Sequence, residues 1–179
     1  MDYIKIPIDR IAVLIGKNGE TKNKITKLTG LELDIDSKEG DVKIITEKCD
    51  PLILIKTKNI ITAIGKGFSP ENALKLLKEE MDLFVFDLHD FVGKKPTHVK
   101  RIKGRVIGKK GKTKRIIEEL TNSKISVYGH TISAISSVIN MNIVKKAILM
   151  ILNGSKHATV YHFLEQQMKE IKKMERMGF

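Results

Sequence analysis

Two stretches decide how this chain is read. They are Ile15-Gly16-Lys17-Asn18-Gly19-Glu20-Thr21-Lys22-Asn23-Lys24-Ile25-Thr26-Lys27-Leu28-Thr29 and, 92 residues further on, Ile107-Gly108-Lys109-Lys110-Gly111-Lys112-Thr113-Lys114-Arg115-Ile116-Ile117-Glu118-Glu119-Leu120-Thr121. Nine of the fifteen aligned positions are identical. A Gly-x-x-Gly pair alone carries little in a chain of 13 glycines, so the shared surroundings decide. In both copies an isoleucine precedes the first glycine and Thr-Lys follows one residue after the second. Apolar residues then recur at helical spacing, Ile25 and Leu28 in one copy and Ile116, Ile117 and Leu120 in the other. A short alternating strand comes next, residues 31–35 and 124–128. Each copy reads helix, glycine turn, helix, strand, which is an internal repeat.

Working outward, residues 3–8 read as a strand ended by Pro7 and Asp9, with a short helix over 10–15. Residues 42–46 read as another strand. Asp50-Pro51, an N-cap followed by proline at the first helical position, opens a helix toward Ile64. Ser69-Pro70-Glu71 starts a further helix covering 73–80 in the same way. In the second copy, a strand over 83–88 leads through a basic loop and a short helix to Ile107. Strands near Ile125 and Ile132 follow, then a long apolar helix over 138–152 ended by Gly154. From His157 a last helix carries Val160, Leu164, Met168 and Ile171 as one apolar stripe. The expected fold class is α+β, with domains over 1–80 and 81–179, each with helices packed on one face of a three-stranded sheet.

The charge is unequally shared. Up to Glu80 there are 14 Lys and Arg against 13 Asp and Glu, a net +1; beyond it there are 19 against 8, a net +11, which together make the formal +12. Residues 94–115 alone hold eleven basic side chains and no acidic one. A one-sign field of that size repels itself and is suited to a polyanion, nucleic acid first. An acidic membrane surface would need an amphipathic helix with bulky apolar residues opposite the charges, and this stretch has few. The longest uninterrupted apolar run, residues 147–152, is far short of the roughly 20 residues of a membrane span. The first residues show no basic region followed by an apolar stretch, so no secretory signal is read and a cytoplasmic location is expected.

The glycines have a physical task. A loop that approaches a nucleic-acid backbone needs contact points without side chains, and glycine also accepts the positive φ of a tight inter-helix turn. The residues between them, Lys17-Asn18 and Lys109-Lys110, are displayed at the N-terminus of the following helix, where free N–H groups and the helix dipole favour a phosphate. Lys112, Lys114 and Arg115 occupy the first turn of that helix, where positive charge is unfavourable by about 0.3–1 kcal/mol each. A plain turn between helices explains the glycines but not these lysines, and an anion would offset the conflict.

These residues resemble the KH RNA-binding module, whose mark is Ile-Gly-x-x-Gly between two helices beside an apolar groove. The resemblance implies a βααββα fold of type I and a loop that clamps four single-stranded nucleotides while their bases lie along the groove. Ile15, Ile25 and Leu33, and Ile107, Ile117 and Ile125, are in matching positions for that groove; sequence alone does not separate groove-lining from core isoleucines. The implied RNA-binding set is Gly108, Lys109, Lys110, Gly111, Lys112, Lys114, Arg115, Arg105 and Ile107, with Gly16, Lys17, Asn18 and Gly19 in the first copy. The tandem arrangement, the segment Ala63-Ile64-Gly65-Lys66-Gly67-Phe68-Ser69-Pro70, and Gly154-Ser155-Lys156-His157-Ala158-Thr159-Val160-Tyr161 are similar to the archaeal form of a small-subunit ribosome assembly family, partner of Nob or Dim-two. That resemblance implies binding of single-stranded RNA near the 3′ end of small-subunit rRNA, with a maturation endonuclease and translation initiation factor two alpha as partners. The eukaryotic members have typically lost the first glycine pair, which is present here as Gly16 and Gly19. The other binding reading is a generic RNA adaptor or chaperone in another RNA-processing complex.

Enzyme readings fail on spacing. A P-loop ending in Gly111-Lys112-Thr113 would need glycine where Val106 stands. The five histidines offer neither His-x-x-x-His spacing nor a nearby cysteine pair, so neither a metal site nor a cofactor is expected. The single cysteine, Cys49, reads as a packed or half-exposed thiol. Glu118 and Glu119 read as helix-surface partners of Lys114 and Arg115 rather than catalytic carboxylates. Tyr161 and His162 read as packing or solvent-facing, with docking as the sharper alternative.

Overall fold

The computed structural model describes residues 2–45 and 50–178, so Thr46 and the thiol of Cys49 lie outside the described residues. The chain divides into two compact units between Leu83 and Phe84. The first runs β1 (Asp2–Lys5), α1 (Ile8–Ile15), α2 (Glu20–Thr29), β2 (Glu32–Asp36), β3 (Asp41–Ile45), α3 (Pro51–Gly65) and α4 (Pro70–Ala73). Its three strands pair in the order β1-β3-β2. Both pairings are antiparallel, and the register sets Leu33 opposite Ile44 and both Ile4 and Ile35 opposite Val42. Leu33, Val42 and Ile44 are buried, and α1, α2 and α3 supply Leu14, Ile25 and Ile64, all fully buried. Each such side chain contributes about 1.5–3 kcal/mol by leaving water. Asp50 caps α3 by accepting the Leu52 N–H at 2.9 Å, ahead of Pro51 at the first helical position.

The second unit repeats the plan. It has β4 (Met81–Asp87), which begins in the last residues of the first unit, then α5 (His89–Val92), α6 (Pro96–Ile107), α7 (Lys112–Thr121), β5 (Lys124–Tyr128), β6 (Thr131–Ser137), α8 (Val138–Leu152) and α9 (His157–Arg176). The strand order β4-β6-β5 matches that of the first sheet. Setting aside the short α5 and the added α4 and α9, each unit reads β-α-α-β-β-α, the α+β order expected from the repeat. The second core joins Val106 of α6, Ile117 of α7, Ile132 of β6, Ile148 of α8, and Val160 and Leu164 of α9. Met168 and Ile171 pack against it as well, so the α9 stripe is engaged to its last member. Among the described residues no helix is long and apolar enough to cross a membrane.

Three local expectations are corrected. The helix opened by Ser69-Pro70 leaves α geometry after Ala73 and ends as a 3-10 turn at Leu77, short of Glu80. There Lys56 Nζ donates to the Leu77 carbonyl at 2.9 Å and Lys78 is extended toward β4. The stretch expected as a basic loop and a short helix to Ile107 has less loop than expected: α6 ends at Ile107 and is twelve residues long. Pro96 opens α6 from the first helical position, and Val99, Ile102 and Val106 recur on its buried side. Finally, Glu118 is engaged by backbone: its Oε1 accepts the N–H of Ile125 at 2.7 Å, satisfying a donor on the outer strand β5.

A candidate RNA interface on each unit

The two glycine loops have the same backbone. Gly16 has φ 76° and ψ 175°, and Gly108 has 75° and 173°. Asn18 and Lys110 are both left-handed, at φ 54° and 51°, and Gly19 and Gly111 follow at 78° and 75°. Each loop is one 3-10 turn between two α-helices. The two glycines of a pair are constrained differently. A Cβ on Gly108 would collide with Thr113 Oγ1 and lie 2.7 Å from the Thr113 backbone nitrogen; on Gly16 it would meet Thr21 in the same way. A Cβ on Gly111 would meet nothing, so within the described structure only its positive φ favours glycine there.

The loop of the second unit is held from behind. Thr113, buried under Gly108, shares a 3.0 Å hydrogen bond with the hydroxyl of Tyr161 on α9. Arg105 Nη2 donates to the Ser155 carbonyl at 2.6 Å, and the His157 ring lies 2.9 Å from the Arg105 carbonyl. Both helices flanking the loop are thereby tied to the segment around the start of α9. The first unit has a counterpart in Arg10, which donates to the carbonyls of Ile64 and Phe68 at 2.8 and 2.7 Å.

The predicted contact residues divide accordingly. Lys109, Lys110, Lys112 and Arg115 are exposed and Lys114 is half-buried. None of the five has a salt bridge within the described residues, and the first turn of α7 holds no acidic side chain. Arg105, in contrast, is committed to Ser155. In the first unit Lys17 and Asn18 are exposed, but Glu20 stands in the first turn of α2. Of the six groove positions, Ile25, Leu33, Ile117 and Ile125 are core residues, exposed by 2% or less. Ile15 and Ile107 stay half-exposed beside their loops.

Ile107 also lines a cavity of about 550 Å³ together with Gly104, Lys100 and Pro96 of α6 and with His89, Gly129 and His130. Gly104 lies outside the set expected from the sequence. It sits inside α6 with ordinary helical backbone, and a Cβ there would meet nothing. Alanine would favour the helix by about 0.5–1 kcal/mol, and no described neighbour accounts for the missing side chain. The sign in the sequence is a glycine four residues before Gly108 within a helical apolar pattern.

The histidines are the other surprise. The fold brings His89, His130 and Asp87 together, with one ligand-type atom of each within 4.8 Å of the others, although nothing in their spacing suggests it. The imidazoles are stacked, with centroids 4.2 Å apart and planes 8° from parallel. An ion held at about 2.0–2.1 Å by an imidazole nitrogen lies in that ring's plane. Two parallel planes do not meet, so the rings as placed do not converge on one metal.

Comparison with known proteins agrees with this architecture. Residues 82–169 match the eukaryotic type KH-domain (KH-domain type I), and residues 10–79 match the Krr1 KH1 domain. The chain is 45% identical to KH domain-containing protein MJ0443 of Methanocaldococcus jannaschii over 97% of its own length and 76% of that protein. It is 30% identical to RNA-binding protein pno1 of Dictyostelium discoideum, over 88% of this chain and 67% of that one. Among solved structures, a chain in the a/eIF2alpha-aDim2p-rRNA complex from Pyrococcus horikoshii OT3 superposes with a TM-score of 0.87 at 45% identity, covering 94% of both chains. With two KH repeats in the same order and matches over nearly its whole length, this chain belongs to the tandem KH-domain family of PNO1 and archaeal Dim2p.

Proposed function

We propose that this protein binds single-stranded RNA near the 3′ end of small-subunit rRNA during small-subunit assembly, and that the Gly108–Gly111 loop is its principal clamp. One observation carries the reading: a rigid glycine turn at the start of α7 displays five cations without a salt-bridge partner among the described residues. Free N–H groups, the helix dipole and those lysines all favour a phosphate. Gly111 leaves room for the backbone, and Gly104 leaves room for a base beside Ile107. The Gly16–Gly19 loop has the same geometry and is a second, weaker contact. Binding and positioning, not catalysis, are the role, exercised in the cytoplasm. The rRNA and the initiation factor alpha subunit that accompany the Pyrococcus homologue support the choice of RNA and of a translation-factor partner here. A maturation endonuclease is the further partner proposed. Crosslinking the purified protein to total RNA and mapping the sites tests this. Crosslinks should concentrate in unpaired 3′-terminal small-subunit rRNA and on peptides containing Lys109 and Lys110. Equal or tighter binding to duplex in competition would overturn it.

A further inference from the structure

In the second unit α9 covers a flank of α7. Tyr161 of α9 shares its hydrogen bond with Thr113, and seven residues on in each helix Met168 and Leu120 line one small cavity. Thr113 is 3% exposed there and Leu120 is half-buried. The 92-residue offset puts Thr21 and Leu28 of α2 in the same two places in the first unit. The segments after α3 and α8 also correspond. Gly67 and Gly154 are both left-handed, and the next residues, Phe68 and Ser155, each accept from an arginine. Counted on from there, Leu74 stands where Tyr161 does, without a hydroxyl, and from Leu74 the chain is a 3-10 turn that ends at Leu77 and turns toward β4. The flank of α2 is left open as a result. Leu28 is 53% exposed, Thr21 is half-buried, and no hydrogen bond to Thr21 Oγ1 occurs among the described residues. A cavity of about 370 Å³ lies beside Thr21, walled by Glu20 and Lys24 of α2 and by Glu71 and Leu74.

We propose that this flank of the first unit seats an amphipathic helix of a protein partner, which puts a tyrosine into the cavity beside Thr21 and an apolar side chain on Leu28. Thr21 and Leu28 are about 10.5 Å apart along α2 at 1.5 Å per residue, so the two anchors of a helix lying parallel to it are also seven residues apart, the spacing of Tyr161 and Met168. Charge selects protein over nucleic acid as the occupant. Glu20 and Glu71, both exposed at the cavity, repel a phosphate, while Lys24 and Lys27 further along α2 suit a carboxylate one turn after the tyrosine. Neither anchor takes part in the RNA clamp of the second unit, so the seat and the clamp stand or fall separately.

A labelled 16-residue peptide with the sequence of residues 161–176 carries that pattern in Tyr161, Glu165 and Met168 and serves as the probe. Fluorescence anisotropy with the full chain should show saturable binding. Leu28→Asp in the chain should weaken it about tenfold or more, with the circular dichroism spectrum unchanged because the side chain is exposed. Thr21→Val in the chain and Tyr161→Phe in the peptide should each weaken it about fivefold, and the two together no more than either alone, as for one shared hydrogen bond. Lack of saturable binding would overturn the seat. Binding indifferent to Leu28→Asp would place the peptide elsewhere and overturn it as well, and so would independent losses from Thr21→Val and Tyr161→Phe. Displacement of the bound peptide by a short single-stranded RNA would make the flank a nucleic-acid contact and reject a protein helix as its occupant.

Discussion

The two glycine loops share a backbone to within a few degrees and differ in charge at Asn18 against Lys110, Glu20 against Lys112 and Asn23 against Arg115. Around Gly16 and Gly19 the displayed residues are Lys17 and Asn18, and Glu20 begins the next helix, where a carboxylate suits the positive end of the dipole. Around Gly108 and Gly111 the corresponding residues are Lys109, Lys110 and Lys112, all against the dipole. The cavities differ in the same sense. One beside the first sheet, about 730 Å³, is lined by Asp34, Asp36 and Asp41 with Lys38 and Lys43, whereas the α6 cavity carries three lysines and no carboxylate. Shape is set by glycine and by Thr21 or Thr113 beneath it. Charge is set separately, by residues that contribute nothing to that shape. The first loop agrees with its helix dipole at Glu20, and the second opposes it at Lys112.

The sharpest way to break this contrast is charge reversal. Lys109→Asp with Lys110→Asp should weaken single-stranded RNA binding on the order of 100-fold. It should also flatten the log-log salt dependence by about 0.7 for each phosphate that the loop ceases to neutralise, with the circular dichroism spectrum preserved. The matching pair Lys17→Asp and Asn18→Asp should weaken binding by less than about tenfold, because its surroundings are already nearly neutral. A larger effect from the first loop than from the second, measured in the same titration, would reverse the assignment of the principal clamp.

Smaller effects sharpen the comparison by separating clamp from support. Tyr161→Phe removes the hydroxyl against Thr113 and should lower unfolding free energy by about 1 kcal/mol in urea titration. RNA affinity should fall only a few-fold, since the loop loosens but keeps its charges. No such tether from a last helix reaches Thr21 among the described hydrogen bonds, so a Thr21→Val control should leave stability closer to wild type. The smallest change is Gly104→Ala. Chemical denaturation should show a gain of about 0.5–1 kcal/mol while RNA binding weakens, and tighter binding would show that α6 does not face the RNA.

Much of this was written in the chain. The 92-residue offset between glycine pairs marked out the repeated plan, and Asp50-Pro51 placed the start of α3. What spacing along the chain could not supply was proximity in space. His89 and His130 meet because Leu88 pairs its backbone with His130 across the sheet, an approach with no local signature. Glu118 looked like an ion-pair partner because its helical neighbours are basic, yet an edge-strand N–H claimed it. Ile25, Leu33, Ile117 and Ile125 carry the same letters whether they line a groove or fill a core, and only burial separates them. The end of α6 at Ile107 was legible, but the dense positive charge obscured how far it extends toward Pro96, a length held by Val99, Ile102 and Val106.

The tethers behind the second loop also impose an order in time. Thr113 finds Tyr161 48 residues later, and Arg105 finds Ser155 50 residues later. A nascent chain growing at about 5–20 residues per second exposes the basic turn for several seconds before the helix that steadies it exists. During that interval eleven cations can attract any polyanion nearby, before the finished loop has a fixed geometry. The nearly neutral first unit, whose Arg10 tether closes on Ile64 and Phe68, is complete earlier and carries little of that risk. Placing the charge in the later repeat leaves the nearly neutral unit free of that exposure while it folds.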